Sequence, residues 1–165
     1  MKISGKAHVY GDNIDTDRII PGKYTKTLDL STLVTHVMED LDPGFHRTFK
    51  KGDVLVAGDN FGCGSSREQA PLALKEAGVS LIIARFFARI FYRNAINIGL
   101  PVLEIPKHDI KNGETVEADL STGEVIVYGN TLRKQYALKM PDIMLEILHR
   151  GGLEKYLLEK GDYQI

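Results

Sequence analysis

Four consecutive apolar residues, Val54-Leu55-Val56-Ala57, run straight into Gly58-Asp59-Asn60-Phe61-Gly62-Cys63-Gly64-Ser65-Ser66-Arg67-Glu68-Gln69-Ala70. A second apolar run, 79–84, follows about one helix length later. Short apolar runs, the second broken only at Ser80, suit strands covered on both faces. The segment between them reads as a helix over residues 65–77. Ser65-Ser66-Arg67-Glu68 has the S-x-x-E form of a capping box, and Gly78 suits the position just past the helix end. Phe86, Phe87, Ile90, Phe91 and Asn94 predict a second helix, and 102–105 a third strand. This β-α-β-α-β alternation predicts an α/β layer.

The flanks are patterned differently. Ile3, Gly5, Ala7 and Val9 alternate with Lys2, Ser4, Lys6 and His8, the period of a half-exposed strand. A polar loop spans 11–26. Leu33, Val34, Val37, Met38 and Leu41 have helical spacing, with Ser31 as N-cap and Asp42-Pro43-Gly44 as terminator. Thr115–Asp119 and 125–128, joined through Ser121-Thr122-Gly123, predict an antiparallel hairpin. Pro141 suits the first position of a helix carrying Ile143, Met144, Ile147 and Leu148. Gly151-Gly152 separates it from a short amphipathic tail. No linker-like stretch divides residues 1–165, so one domain is expected.

Composition narrows the function classes. A net charge of −1 gives no bulk attraction to nucleic acid or acidic membrane. A single cysteine excludes an internal disulfide and cannot by itself hold an iron–sulfur cluster or a structural zinc. The five histidines lack ligand spacing. No apolar run is long enough for a membrane helix, and the first residues are too polar for a secretion signal. A cytoplasmic location is expected.

The Gly62–Arg67 stretch carries the chemistry. Closely spaced glycines let backbone N–H groups approach a ligand, two hydroxyls follow, and Arg67 can grip a carboxylate bidentately. The spacing is neither a Walker A loop nor G-x-G-x-x-G. An anionic small molecule is the expected ligand. Asp12, Asp15 and Asp17 crowd one loop without EF-hand spacing, which fits Asx turns better than a metal site. Cys63 has no local histidine to activate it. Arg85, Arg89 and Arg93 recur every four residues and read as a solvated or salt-bridged face.

Three segments together resemble a known family. They are Gly11-Asp12-Asn13-Ile14-Asp15-Thr16-Asp17 with Ile19-Ile20-Pro21; residues 58–68; and Ala88-Arg89-Ile90-Phe91-Tyr92-Arg93-Asn94-Ala95-Ile96-Asn97-Ile98-Gly99-Leu100-Pro101. In this order they resemble the small subunits of 3-isopropylmalate dehydratase and its homoaconitase relatives, nearly end to end. The resemblance implies an α/β fold of the swivelling β/β/α type found in the aconitase superfamily. It implies a hydro-lyase complex with a large subunit that carries a [4Fe-4S] cluster, this chain holding no cofactor or metal of its own. The implied reaction interconverts 2- and 3-isopropylmalate by dehydration and rehydration in leucine biosynthesis. By the same resemblance Ser65 is the catalytic base, and Ser66 and Arg67 bind the substrate's carboxylate. Helix N-terminal N–H groups and Arg67 would favour the Ser65 alkoxide. Asp15, Thr16, Asp17, Gly62 and Gly64 shape the cleft.

Tyr24, Lys26 and Thr27 fall in the segment that sorts substrates in that family. An apolar residue at the position of Lys26 suits an isopropyl group, and arginine suits a distal carboxylate. Lys26 matches neither pattern, because a point charge replaces the fork and its long stem can present methylenes. Homoaconitate and a dimethylmalate-type hydroxy acid are the alternative substrates. A stand-alone anion- or metabolite-binding module is the alternative of a different class.

Overall fold

The computed structural model describes residues 1–26 and 29–161. One mixed sheet organises them. Its strands are β1 (Lys2–Val9), β2 (Val54–Ala57), β3 (Leu81–Ala84), β4 (Val102–Glu104), β5 (Thr115–Asp119), β6 (Glu124–Tyr128) and β7 (Leu132–Tyr136), in the order β4-β3-β2-β1-β5-β6-β7. β1 to β4 are parallel, and β5 to β7 are antiparallel. β1 joins the two halves. Its first residues, Lys2 to Lys6, pair with β5, and Ala7 to Val9 pair with β2.

Burial follows this division. Every residue of β2 and β3 is buried, as expected for parallel strands covered by helices on both faces. β5 and β6 alternate, turning Val116, Ala118, Val125 and Val127 to the core. β7 buries no residue fully.

The helices are α1 (Thr16–Ile19), α2 (Leu30–His36), α3 (Phe45–Thr48), α4 (Gln69–Glu76), α5 (Arg89–Asn97), α6 (Asp142–His149) and α7 (Leu153–Lys160), with a 3-10 turn over Gly22–Tyr24. α4 packs on α1, α2 and α5, and α5 packs on α6 and α7. Among the described residues no helix is long and apolar enough to cross a membrane.

Several predicted boundaries move. The helix expected over 65–77 starts only at Gln69. Glu68 is its N-cap and makes no side-chain capping bond, so the capping box does not form. The helix expected to reach Leu41 stops at His36, because Met38 adopts a left-handed φ of 63°. Its cap is Asp29, whose carboxylate accepts from the Ser31 N–H, rather than Ser31. Pro141 is the N-cap of α6, one position before its expected place.

Candidate functional site

Three connections lie side by side where β1, β2 and β3 end. The Gly58 N–H donates to Gly11 O (3.1 Å), Asn13 N–H to Asp59 O (2.8 Å), Gly62 N–H to Ile14 O (2.7 Å) and Thr16 N–H to Cys63 O (2.9 Å). On the other flank Arg85 N–H donates to Gly58 O (3.1 Å), Phe61 N–H to Phe86 O (3.0 Å) and Ala88 N–H to Phe61 O (2.9 Å). Residues 58–63 are therefore laced on both sides beyond the ends of the strands. The C-terminal edge of a parallel sheet is where ligands bind in α/β folds.

Gly62 makes this lacing compact. Its φ is +77°, and a Cβ there would lie 2.2 Å from the Phe91 ring. Phe91 forms edge-to-face contacts with Phe61, which does the same with Phe87, and all three rings are buried. Gly64, at φ +91°, turns the chain outward so that Ser65 and Ser66 emerge exposed.

Ser65 is held by Thr16. The buried Thr16 Oγ1 lies 3.1 Å from Ser65 O and 3.3 Å from Ser65 Oγ. A threonine hydroxyl has one proton and two lone pairs. With its proton on the carbonyl, Thr16 accepts the Ser65 proton and fixes that side chain. Arg67 is held from two sides. Its Nη1 pairs with the Asp17 carboxylate, and its guanidinium lies over Gly22, where a Cβ would sit 3.0 Å from Nη2. Asp17 is 60% exposed, so this pair adds under about 1 kcal/mol of stability. Its effect is to aim the guanidinium.

Asp15 serves the backbone: its carboxylate accepts the Arg18 N–H at the start of α1 (2.9 Å). Burial, and then the nearby Asp15 charge, push the Cys63 thiol pKa up. That disfavours the thiolate and makes the sulfur a poor nucleophile.

Ser65, Arg67, Thr16, Asp17, Gly62 and Gly64 thus share one edge, with the exposed Ser66 beside them. Tyr24 is turned elsewhere. Its ring stacks on His36 (centroids 3.7 Å apart, planes at 5°), and His36 contacts Glu39 at 2.6 Å. Lys26 is exposed. Among the described residues no hydrogen bond or ion pair joins Tyr24 or Lys26 to Ser65 or Arg67. Thr27 lies outside the described residues. The expected helix N-terminus behind the Ser65 hydroxyl is corrected, because Ser65 precedes the first residue of α4 by four positions.

The comparisons with known proteins add identity to this geometry. A profile described as the aconitase C-terminal domain matches residues 43–108. The chain is 52% identical to the 3-isopropylmalate dehydratase small subunit 2 of Archaeoglobus fulgidus, over 100% of both chains. The chain belongs to the family of 3-isopropylmalate dehydratase and homoaconitase small subunits. It is also 53% identical to the methanogen homoaconitase small subunit of Methanothermobacter thermautotrophicus, over 97% of this chain and 93% of that one. The crystal structure of 3-isopropylmalate dehydratase from Methanocaldococcus jannaschii superimposes with a TM-score of 0.91 at 46% identity, covering 98% of this chain and 96% of that one. The fold is accordingly the α/β swivelling domain of the aconitase superfamily.

Sequence reasoning passed over two contributors. Gly22 is the floor beneath Arg67, and Gln69 Nε2 donates to Thr25 O (3.4 Å), tying the 3-10 turn to the head of α4. The Pro21-Gly22 dipeptide marks a turn, but its contact with a residue 45 positions away is visible only in three dimensions.

Proposed function

We propose that this chain is the small subunit of 3-isopropylmalate dehydratase, a hydro-lyase complex of leucine biosynthesis, with residues 1–165 forming a single swivelling domain. The cytoplasm is the proposed compartment. The observation that carries the site assignment is the pairing of a Thr16-held Ser65 hydroxyl with an Asp17-aimed Arg67 guanidinium on one open sheet edge.

An iron–sulfur cluster needs several thiolates, and this chain has one cysteine. These residues do not fit a cluster held by this chain alone, and we assign the cluster to the large subunit. In that subunit it would supply Lewis acidity to the departing hydroxyl.

The residues of this chain supply the rest. Arg67 clamps a substrate carboxylate through its fork, with Ser66 as a neighbouring donor. Ser65 takes the proton from the carbon beside that carboxylate. The electron pair forms the C=C bond as hydroxide leaves and is protonated to water. Rehydration with exchanged positions gives the isomer. A serine hydroxyl is a weak base at neutral pH, and Thr16 alone stabilises only its protonated form. The alkoxide therefore depends on Arg67 and on charge brought by the partner, so this reading places full activity in the assembled complex.

Homoaconitase activity is the second reading, favoured by the exposed cationic Lys26 and by the 53% identity to a homoaconitase small subunit. The test is kcat/KM for 3-isopropylmalate, homoaconitate and dimethylmalate on the anaerobically assembled complex. Preference for 3-isopropylmalate supports the first reading. Preference for homoaconitate replaces it and puts Lys26 on the distal carboxylate. Turnover retained by an assembled Ser65→Ala complex would remove Ser65 from the base role.

A further inference from the structure

We propose that Phe86, Ile90 and the guanidinium groups of Arg85, Arg89 and Arg93 form the docking surface for the large subunit, meeting an acidic patch with an apolar centre. The inference rests on the reading of this chain as a small subunit. Its first support is position. Residues 85–88 are laced directly to the Gly58–Phe61 backbone, so this face continues the sheet edge that presents Ser65. A site completed by a second subunit requires that subunit to cover the flanks of the loop as well as its tip.

The second support is the character of the face. Phe86 and Ile90 are 49% and 47% exposed, beside an open cleft of about 400 Å³ lined by Phe86, Phe87, Arg89, Tyr92, Arg93 and Glu104. All three arginines are exposed. Among the described residues no hydrogen bond or ion pair engages their guanidinium groups. Two of them oppose local stability. Arg89 puts a cation on the first residue of α5, whose first turn has no acid, against the helix dipole. Arg89 and Arg93 are like charges at i,i+4. A fold that keeps such conflicts places them where function outweighs local preference.

Charge also selects the occupant. Residues 85–93 carry three arginines and no acid, whereas 11–18 carry three aspartates and one arginine. The edge is polarised, which fixes the direction in which a complementary surface can lie. A second copy docking symmetrically through this face would set arginine against arginine. A free anion is disfavoured in the cleft by Glu104, whose Oε1 accepts the Phe87 N–H at 2.9 Å.

The test is association of the full-length small subunit with the tethered, cluster-loaded large subunit, measured across a salt series, with kcat at saturating large subunit. The substituted side chains are exposed, and Glu at the head of α5 suits the helix dipole, so melting temperatures should not fall below wild type. Arg89→Glu with Arg93→Glu is expected to raise Kd at least tenfold, mainly through slower association, and to flatten the salt dependence. Phe86→Ala is expected to raise Kd several-fold through faster dissociation. Lys134→Glu, on the far edge strand, should stay within twofold, and kcat at saturation should be unchanged throughout. Wild-type binding with Kd unchanged in both surface variants overturns the inference. So does an effect confined to self-association of the small subunit, or a fall in saturated kcat without a change in Kd. Absence of any wild-type binding instead removes the small-subunit reading, and this inference with it.

Discussion

The two halves of the sheet are built for different work. In the parallel half, β2 and β3 are buried on both faces, and each end of the strands has its own character. The N-terminal end is closed on itself. Asp53 accepts from Lys50 N–H (3.0 Å) and Lys6 N–H (3.3 Å) and contacts His8 Nε2 (2.8 Å), and Ser80 Oγ donates to Gly52 O (2.7 Å). The C-terminal end presents hydroxyls and a guanidinium outward. The antiparallel half covers one face only, and its outer strand holds the exposed pair Lys134–Glu124 and the partly buried pair Arg133–Glu114. Chemistry therefore collects at the end of the strands that cannot slide, because a sheet packed on both faces fixes where its loops emerge.

Substitutions at five positions bear on that contrast. Ser65→Ala should lower kcat of the assembled complex by roughly 10³-fold, with the melting temperature unchanged. A loss below tenfold would move the chemistry away from this edge. Leu55→Ala, in the buried heart of β2, should cost about 2–5 kcal/mol in urea unfolding. A cost under about 1 kcal/mol would contradict the two-sided packing. Thr16→Val should lower kcat about 10–100-fold, with the Ser65 hydroxyl released, while Thr16→Ser restores most of it. Equal loss in both variants would make Thr16 a packing residue rather than a holder of Ser65.

Asp53→Asn tests the closed end. Burial raises the Asp53 pKa, but the Lys50 amide, the His8 ring and the Lys6 amide outweigh it and hold the carboxyl below its ordinary value. The folded protein then binds that proton more weakly than the unfolded chain. The contribution is complete above the unfolded pKa near ~3.9 and disappears as pH falls through the folded value. The variant should lose about 1–3 kcal/mol at neutral pH and show a flatter acid limb. An unchanged acid limb would locate that dependence elsewhere. Lys134→Ala on β7 should change stability by less than about 0.5 kcal/mol, and a larger loss would mean that the antiparallel half depends on its surface pairs.

The buried half was also the legible half. Val54–Ala57 and 79–84 announced their strands because parallel strands lack polar alternation. The hairpin was readable from Val116, Ala118, Val125 and Val127 around Gly123. β7 was not, since Leu132–Tyr136 carries no fully buried residue and so no hydrophobic rhythm. Ser65-x-x-Glu68 satisfies a local capping pattern and so predicts a helix head at Ser65, while the chain instead engages Ser65 with Thr16, 49 residues away, and α4 starts at Gln69. The single turns α1 and α3 are too short to show periodicity. The motifs located the Ser65–Arg67 stretch, but the grip of Asp17 and Gly22 on Arg67 depends on strand order.

The seating of Gly62 against Phe91 has a mechanical consequence. With no side chain between the loop backbone and the ring, and with Phe61 wedged against the same helix, the backbone at Gly62 seats directly on α5. The helix acts as a shim under the loop: its position sets the height at which the chain turns outward at Gly64 toward Ser65.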